Sequence, residues 1–375
     1  MRLKEPKVGQ RTYYLDVARA IAIISITLNH AVNRAFENYS GQMAEYLNIP
    51  LYLTIIKSVI TVFSHVGVPL FLMITGVLIL NKPMENGADV RRFYKNNLLS
   101  LFITAEIWYV VMYWVIVLLD PTNTIIENGG IWGALEGMVR TMLFVEQTTF
   151  GSMWYMPMIL CLYTTIPFVI MVKDKLGKPD WFMLLPAGLV FLVFMVLPAV
   201  NSWRLFQGEI WLHTKIREPN LFSFYYLYVI AGYAIGKGAL EKLKDWVVVL
   251  LAVGFFGLCC AYQFYAYTQP RDYLIDYEFP LLLLCGGFAF EWIRRKAGDG
   301  KGLRRPVTYL SRISLAIYFL HIVIMSILGW QLNLQGWPRL GLLAFYEIAS
   351  VGGSILVIAL LSKIKFLRRY LFLIK

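Results

Sequence analysis

Apolar runs long enough to cross a lipid bilayer recur along the whole chain, and nothing else in it limits the fold so sharply. They lie near residues 13–34, 52–80, 98–119, 153–172, 181–200, 221–240, 246–266, 279–293, 307–331 and 340–362. A helix needs roughly 20 apolar residues to cross about 30 Å of hydrocarbon. Lipid offers no partner to a bare peptide group, so such segments must satisfy their own hydrogen bonds as helices. The expected fold is all-α, a polytopic transmembrane bundle of about ten helices. The 375 residues are 58% hydrophobic with a mean hydropathy of +0.60, against roughly 45–50% apolar content in soluble domains. No stretch reads as a separate soluble unit, so residues 1–375 are read as one transmembrane domain.

Basic residues orient the bundle, because cytoplasmic loops carry an excess of Lys and Arg. With a cytoplasmic N-terminus, the inner segments collect Arg2, Lys4, Lys7 and Arg11; Lys82, Arg91, Arg92 and Lys95; Lys173, Lys175 and Lys178; Lys237, Lys242 and Lys244; the stretch from Arg294 to Arg305; and the stretch from Lys363 to Lys375. The outer loops keep only Arg34, Arg140, Arg204, Lys215, Arg217, Arg271 and Arg339. Both termini are therefore expected in the cytoplasm, with the chain multi-pass in the cell (inner) membrane. The net charge of +12 follows from this asymmetry and from contact with anionic lipid, and lends no support to nucleic-acid binding.

Cys161, Cys259, Cys260 and Cys285 fall inside the apolar runs without metal-ligand spacing, so neither a disulfide framework nor a metal is expected. The start of the chain resembles a signal peptide in its basic residues. Asp16 and Arg19 interrupt its apolar region and no small-residue cleavage pattern follows, so the first helix is expected to be retained. Of the outer connections, IWGALEGMVRTMLFV (131–145) reads as a helix lying in the interface. The 201–220 segment, with Trp203, Trp211 and His213, reads as an aromatic belt or as a substrate contact.

The first run, DVARAIAIISITLNHAV (16–32), carries three polar residues that an inert span would avoid. Arg19 and His30 are eleven residues apart, about 20° beyond three full helical turns, so they share a face about 16 Å apart along the axis. Asp16 is three residues before Arg19 and within pairing distance of it. Two readings fit. Asp16 and Arg19 form a structural pair near the inner interface with His30 at the outer boundary; or the face is a polar track, with a phosphate-binding guanidinium at its inner end and a base or nucleophile at its outer end.

LDVARAIAIISITLNH (15–30) resembles the opening signature of acyltransferase family 3 membrane proteins, with Leu15, Asp16, Arg19 and His30 in place. GVPLFLMITGVLIL (67–80), SMWYMPMILCLYTTIPFVI (152–170), FYYLYVIAGYAIGK (224–237) and SRISLAIYFLHIVI (311–324) are similar to later helices of that family, in order. The likeness is greatest to its smaller members, which lack a fused extracellular hydrolase-like domain. It implies an acyl-CoA donor such as acetyl-CoA on the cytoplasmic side, and as acceptor a hydroxyl of a cell-surface glycan or lipid-linked sugar. Arg19 would hold a CoA phosphate, Asp16 would orient Arg19, and His30 would act as base or acyl acceptor. Many members carry a basic run followed by proline at the third helix. Here Arg91, Arg92 and Lys95 precede NNLLSLFITAE with no proline, so the CoA contacts would move to Arg91, Arg92 or Lys95.

Further candidates have a structural and a functional reading each. Trp154 and Tyr155 suit an aromatic belt, or sugar stacking and oxyanion donation. His321, on a stripe with Ser314 and Tyr318, suits an interhelical hydrogen bond or a polar lining of the acyl path. Arg312, about half a turn away from His321, suits a lipid phosphate or a CoA phosphate. Glu106 is an unexplained intramembrane carboxylate, placed with the substrate contacts. Lys57 is expected to snorkel to the outer surface, and His65 to be structural. A transporter with His30 as a proton relay is the competing function.

Overall fold

The computed structural model describes residues 12–36, 49–119, 125–145, 151–176, 181–206, 223–268, 275–298, 302–332, 334 and 337–374. All regular structure among them is helical. Helix α1 (Tyr13–Phe36) is followed by α2 (Leu51–His65) and α3 (Gly67–Ile79), one crossing broken at Val66. Helix α4 (Gly87–Phe93) runs through a π turn at Tyr94–Leu98 into α5 (Leu99–Leu119). Then come α6 (Ile125–Met142), α7 (Tyr155–Leu176), and α8 (Trp181–Phe191) joined to α9 (Leu197–Phe206) by a second π turn. Helices α10 (Tyr225–Gly236), α11 (Asp245–Thr268), α12 (Pro280–Lys296), α13 (Arg304–Gln331) and α14 (Arg339–Leu361) complete the bundle. Seven crossings are both long and apolar enough for a membrane. The shorter apolar stretches Pro186–Asn201 and Tyr225–Gly236 add to these, in keeping with a polytopic helical bundle.

Contacts between span ends follow the alternation read from the basic residues. Asp16 and Ser311 meet at the inner starts of α1 and α13. Lys173 Nζ donates to Leu80 O, both at inner ends. Arg339 donates to Phe36 O at the outer ends. The basic N-terminal residues 1–11, the 207–222 part of the outer loop with Trp211 and His213, and the side chains of Trp203 and Arg204 lie outside what is described.

Helix α1 is central and packs on α2, α3, α12, α13 and α14. Small residues allow the close approaches that association in lipid relies on. A Cβ on Gly67 would stand 2.6 Å from Ala22 O, and one on Gly232 would collide with the Met73 backbone where α10 crosses α3. Helix α6 bends at Gly130 (φ 57°). It buries Ala134 near Tyr113 and Val117 of α5 while Ile131, Trp132 and Val139 stay exposed. That placement suits a helix lying along the bundle.

Two features depart from the expectation. Lys57 is only 3% exposed. Its ammonium lies 4.2 Å from the Tyr267 ring centroid and 5.8 Å from that of Phe36, so cation–π attraction inside the bundle replaces snorkelling. The basic tail after α14 also turns back into the bundle. Thr104 Oγ1 donates to Tyr370 O (2.7 Å), Trp108 Nε1 donates to Leu371 O (2.8 Å), and Leu371 and Phe372 are buried.

Candidate active site

Helix α1 carries Arg19, Ile26 and His30 on one face, as the spacing requires. Arg19 and Ile26 line a cavity of about 310 Å³ between α1, α3, α5, α7 and α13. The cavity begins at the helix ends that the basic residues assign to the inner side, where Arg19, Lys82 and Asn97 stand. It passes Thr75, Ile159 and Tyr163, and reaches Tyr155, Ser314 and Tyr318. Asp16 roots this face, since its carboxylate accepts hydrogen bonds from Ser311 Oγ (2.8 Å) and Thr308 Oγ1 (3.2 Å) of α13. These bonds fasten α1 to α13 beside the Arg19 end of the cavity.

At the far end the imidazoles of His30 and His321 meet, with ring centroids 5.1 Å apart. The Tyr318 ring lies 6.2 Å from His321 and 5.7 Å from Tyr155, bridging the cavity to the histidine pair. His321 is fully buried and its Nδ1 is 3.0 Å from Ile317 O. A carbonyl only accepts, so Nδ1 carries the hydrogen and Nε2 presents a lone pair, which has no partner. His30 retains accessible surface, and neither of its ring nitrogens has a hydrogen-bond partner among the described residues. The Tyr155 hydroxyl likewise has no hydrogen bond among the described residues, whereas the Tyr318 hydroxyl is held by Ser152 O at 2.6 Å. The arrangement offers cations at one end, an uncharged passage, and an uncommitted imidazole and phenol at the other.

The family model described as an acyltransferase domain matches residues 12–362. The chain belongs to acyltransferase family 3. Neither a curated protein nor a solved structure matches it significantly. It is a multi-pass membrane acyltransferase, and the residues above occupy the part of the bundle that the family signature marked.

In this acyltransferase the remaining sequence candidates scatter. Arg91 and Lys95 line a different cavity, of about 1250 Å³, which runs between the α4–α5 segment and α7 past Phe102 and Leu160 to Phe144 and Trp154. They do not share the passage with Arg19. Arg91 and Lys95 lie one turn apart on one side of that segment, while Asn97, about half a turn from Lys95, faces the passage. Arg92 is 73% exposed at its side chain and pairs with Asp89 at 3.5 Å. Arg312 is on the exposed side of α13 and lines neither cavity, which follows from its half-turn offset from His321. Glu106 Oε1 is buried without a hydrogen-bond partner, and Glu106 too lines neither cavity. No group of metal-binding side chains occurs among the described residues.

Three residues near the site escaped the sequence reading. Lys82 counted there only as a marker of the cytoplasmic side, and Asn97 carried no signal. Glu347 of α14 accepts a hydrogen bond from Thr27 Oγ1 (2.8 Å), one turn from His30, and its Oε2 has no partner. A carboxylate isolated in an apolar run was the available signal, the same one that singled out Glu106.

Proposed function

We propose that the protein transfers a short acyl group, acetyl in the first instance, from cytoplasmic acyl-CoA to a hydroxyl of an extracytoplasmic or lipid-linked polysaccharide at the cell (inner) membrane. The observation that carries this reading is the passage that starts at Arg19 and Lys82 and ends at Tyr155 and Tyr318, from which His321 leads on to His30 outside the cavity lining. Two cations at the inner mouth suit the phosphates of CoA, and an uncharged interior suits the neutral pantetheine arm. His30 takes the proton of the acceptor hydroxyl as its oxygen bonds to the acyl carbon. The carbon–sulfur bond breaks, and the proton passes from the imidazolium to the departing thiolate. The Tyr155 hydroxyl donates to the oxygen that becomes negative during attack.

Purified protein in lipid nanodiscs, supplied with acetyl-CoA and no gradient, is expected to release free thiol. The His30→Ala variant is expected to release none above background while remaining folded. Full thiol release by His30→Ala would overturn the mechanism, and substrate flux without CoA turnover would identify a transporter. Mass spectrometry of the surface glycan with and without the gene then distinguishes acetyl from succinyl transfer.

A further inference from the structure

Four rings from distant parts of the chain meet inside the bundle. They are His65 at the α2–α3 junction, Trp154 before α7, Tyr225 at the start of α10 and Tyr277 before α12. Tyr277 is the hub, with centroids 5.5 Å from His65, 5.2 Å from Trp154 and 6.4 Å from Tyr225. Trp154 and Tyr225 are 5.7 Å apart at 31°, and Trp154 also contacts Tyr155 of the passage. Rings alone would be ordinary packing. His65 makes the cluster chemically directed. Its Nδ1 is 2.8 Å from Thr61 O, so that nitrogen carries the hydrogen and Nε2 is an acceptor, for which no donor is found among the described residues. The ring is deep in the bundle yet keeps accessible surface.

The cluster also borders the reacting histidine. Ser64 Oγ donates to Asn29 Oδ1 at 3.1 Å, fastening α1 to α2 one residue before His30 and one residue before His65. His65 is one of the ionisable groups within electrostatic reach of His30. Asp276 is within reach of His65 in turn, a poor neighbour for an anionic sugar.

We propose that His65, Trp154, Tyr225 and Tyr277 form the subsite for a neutral pyranose of the acceptor. The ring's C–H face lies on the electron-rich aromatic faces. One sugar hydroxyl donates to His65 Nε2, which leaves a neighbouring hydroxyl to give its proton to His30. His65 is thus a binding and positioning residue, distinct in task from His30. This assignment rests on the acyl-transfer reading above, and its test separates the two.

The probes are the methyl glycosides of glucose, galactose, mannose and N-acetylglucosamine, with methyl glucuronide as the anionic control, on full-length protein in nanodiscs. Binding is read by saturation-transfer NMR, and transfer by O-acetyl glycoside formed from acetyl-CoA. At least one neutral glycoside is expected to bind and to be acetylated, and the glucuronide to do neither. His65→Phe keeps a ring and removes the acceptor nitrogen. It is expected to lower the ratio of glycoside acetylation to thioester hydrolysis tenfold or more, through a raised KM for the glycoside. His65→Gln, which restores an acceptor, should regain part of that loss. An equal fall in acetylation and hydrolysis, or glycoside binding unchanged in His65→Phe, would overturn the subsite, as would binding of no neutral glycoside by the wild type. Wild-type protein that binds the glycoside through His65 but never turns over acetyl-CoA would leave the subsite standing and overturn acyl transfer.

Discussion

An imidazole with no hydrogen-bond partner, deep in a helical bundle, adds little to stability, because its polar atoms lose water without replacement. His321 and His65 each recover part of that loss by donating from Nδ1 to the carbonyl four residues earlier. His30 recovers none among the described residues, which fits a group whose partner is substrate. His30→Ala should lower acyl transfer by a factor of about 10² to 10⁴, the usual weight of a general base, with donor binding retained. Tyr155→Phe should lower the rate about a hundredfold if its hydroxyl supports the developing oxyanion. Each is checked by steady-state thiol release against the wild type. Arg19 and His30 were legible because eleven residues return a helix to the same face. Lys82 and Asn97 were not, since their place in the passage depends on how α3 and the α4–α5 segment are rotated against α1. The family likeness pointed to Arg91, Arg92 or Lys95, of which Arg91 and Lys95 are turned toward a separate cavity and Arg92 is exposed.

At the level of elements, the contact between α3 and α10 depends on residues without side chains. Gly76 faces Val229 O and Gly232 faces the Met73 backbone, so a Cβ at either would collide with main chain, which cannot swing aside. Gly232→Ala is expected to destabilise the bundle by about 1–3 kcal/mol, as overpacking does, seen as a lower Tm of the detergent-solubilised protein. Gly257→Ala is the control, since nothing lies near its Cβ position. The helices themselves were legible from length and hydropathy. Their interruptions were less so: the 52–80 run divides at Val66, and the third crossing begins at Gly87, well before its apolar part. Hydropathy registers the apolar stretch, whereas the polar first turns of α4 are set by Asn86, whose side chain caps Ala88 and Asp89. The return of the tail into the bundle was hidden for a related reason, because Lys363 to Arg369 advertise a solvated end while apolar residues among and after them pack, Leu371 and Phe372 most deeply.

Across the whole molecule, the two faces of the membrane have different chemistry. On the inner side, Glu291 is fully buried and accepts from Arg294 Nε (2.7 Å) and Arg295 Nε (2.6 Å), while Arg295 also bonds Leu240 O, Leu243 O and Asp245. This network locks the α10–α11 connection to α12. Glu291→Ala would remove the buried carboxylate that both guanidinium groups share, leaving Arg295 with Asp245 and two carbonyls and Arg294 with Glu241 at 3.8 Å. It is expected to cost about 1.5–3 kcal/mol, read as a lower Tm after extraction. On the proposed reading, the passage would separate a donor site on one face from an acceptor site on the other, so the reaction should have a direction. Arg19→Ala removes a charged contact worth about 1.5–3 kcal/mol, and should raise the KM for acetyl-CoA roughly 10- to 100-fold while leaving kcat close to wild type. Added salt should raise the wild-type KM in the same sense, and by less in the variant, because the cation that salt screens is then missing. In sealed vesicles of known orientation, acetyl-CoA given to the cytoplasmic face alone should acetylate acceptor held on the opposite face. Equal activity with donor and acceptor both confined to the outer face would break the link between the position of Arg19 and the side on which the donor binds.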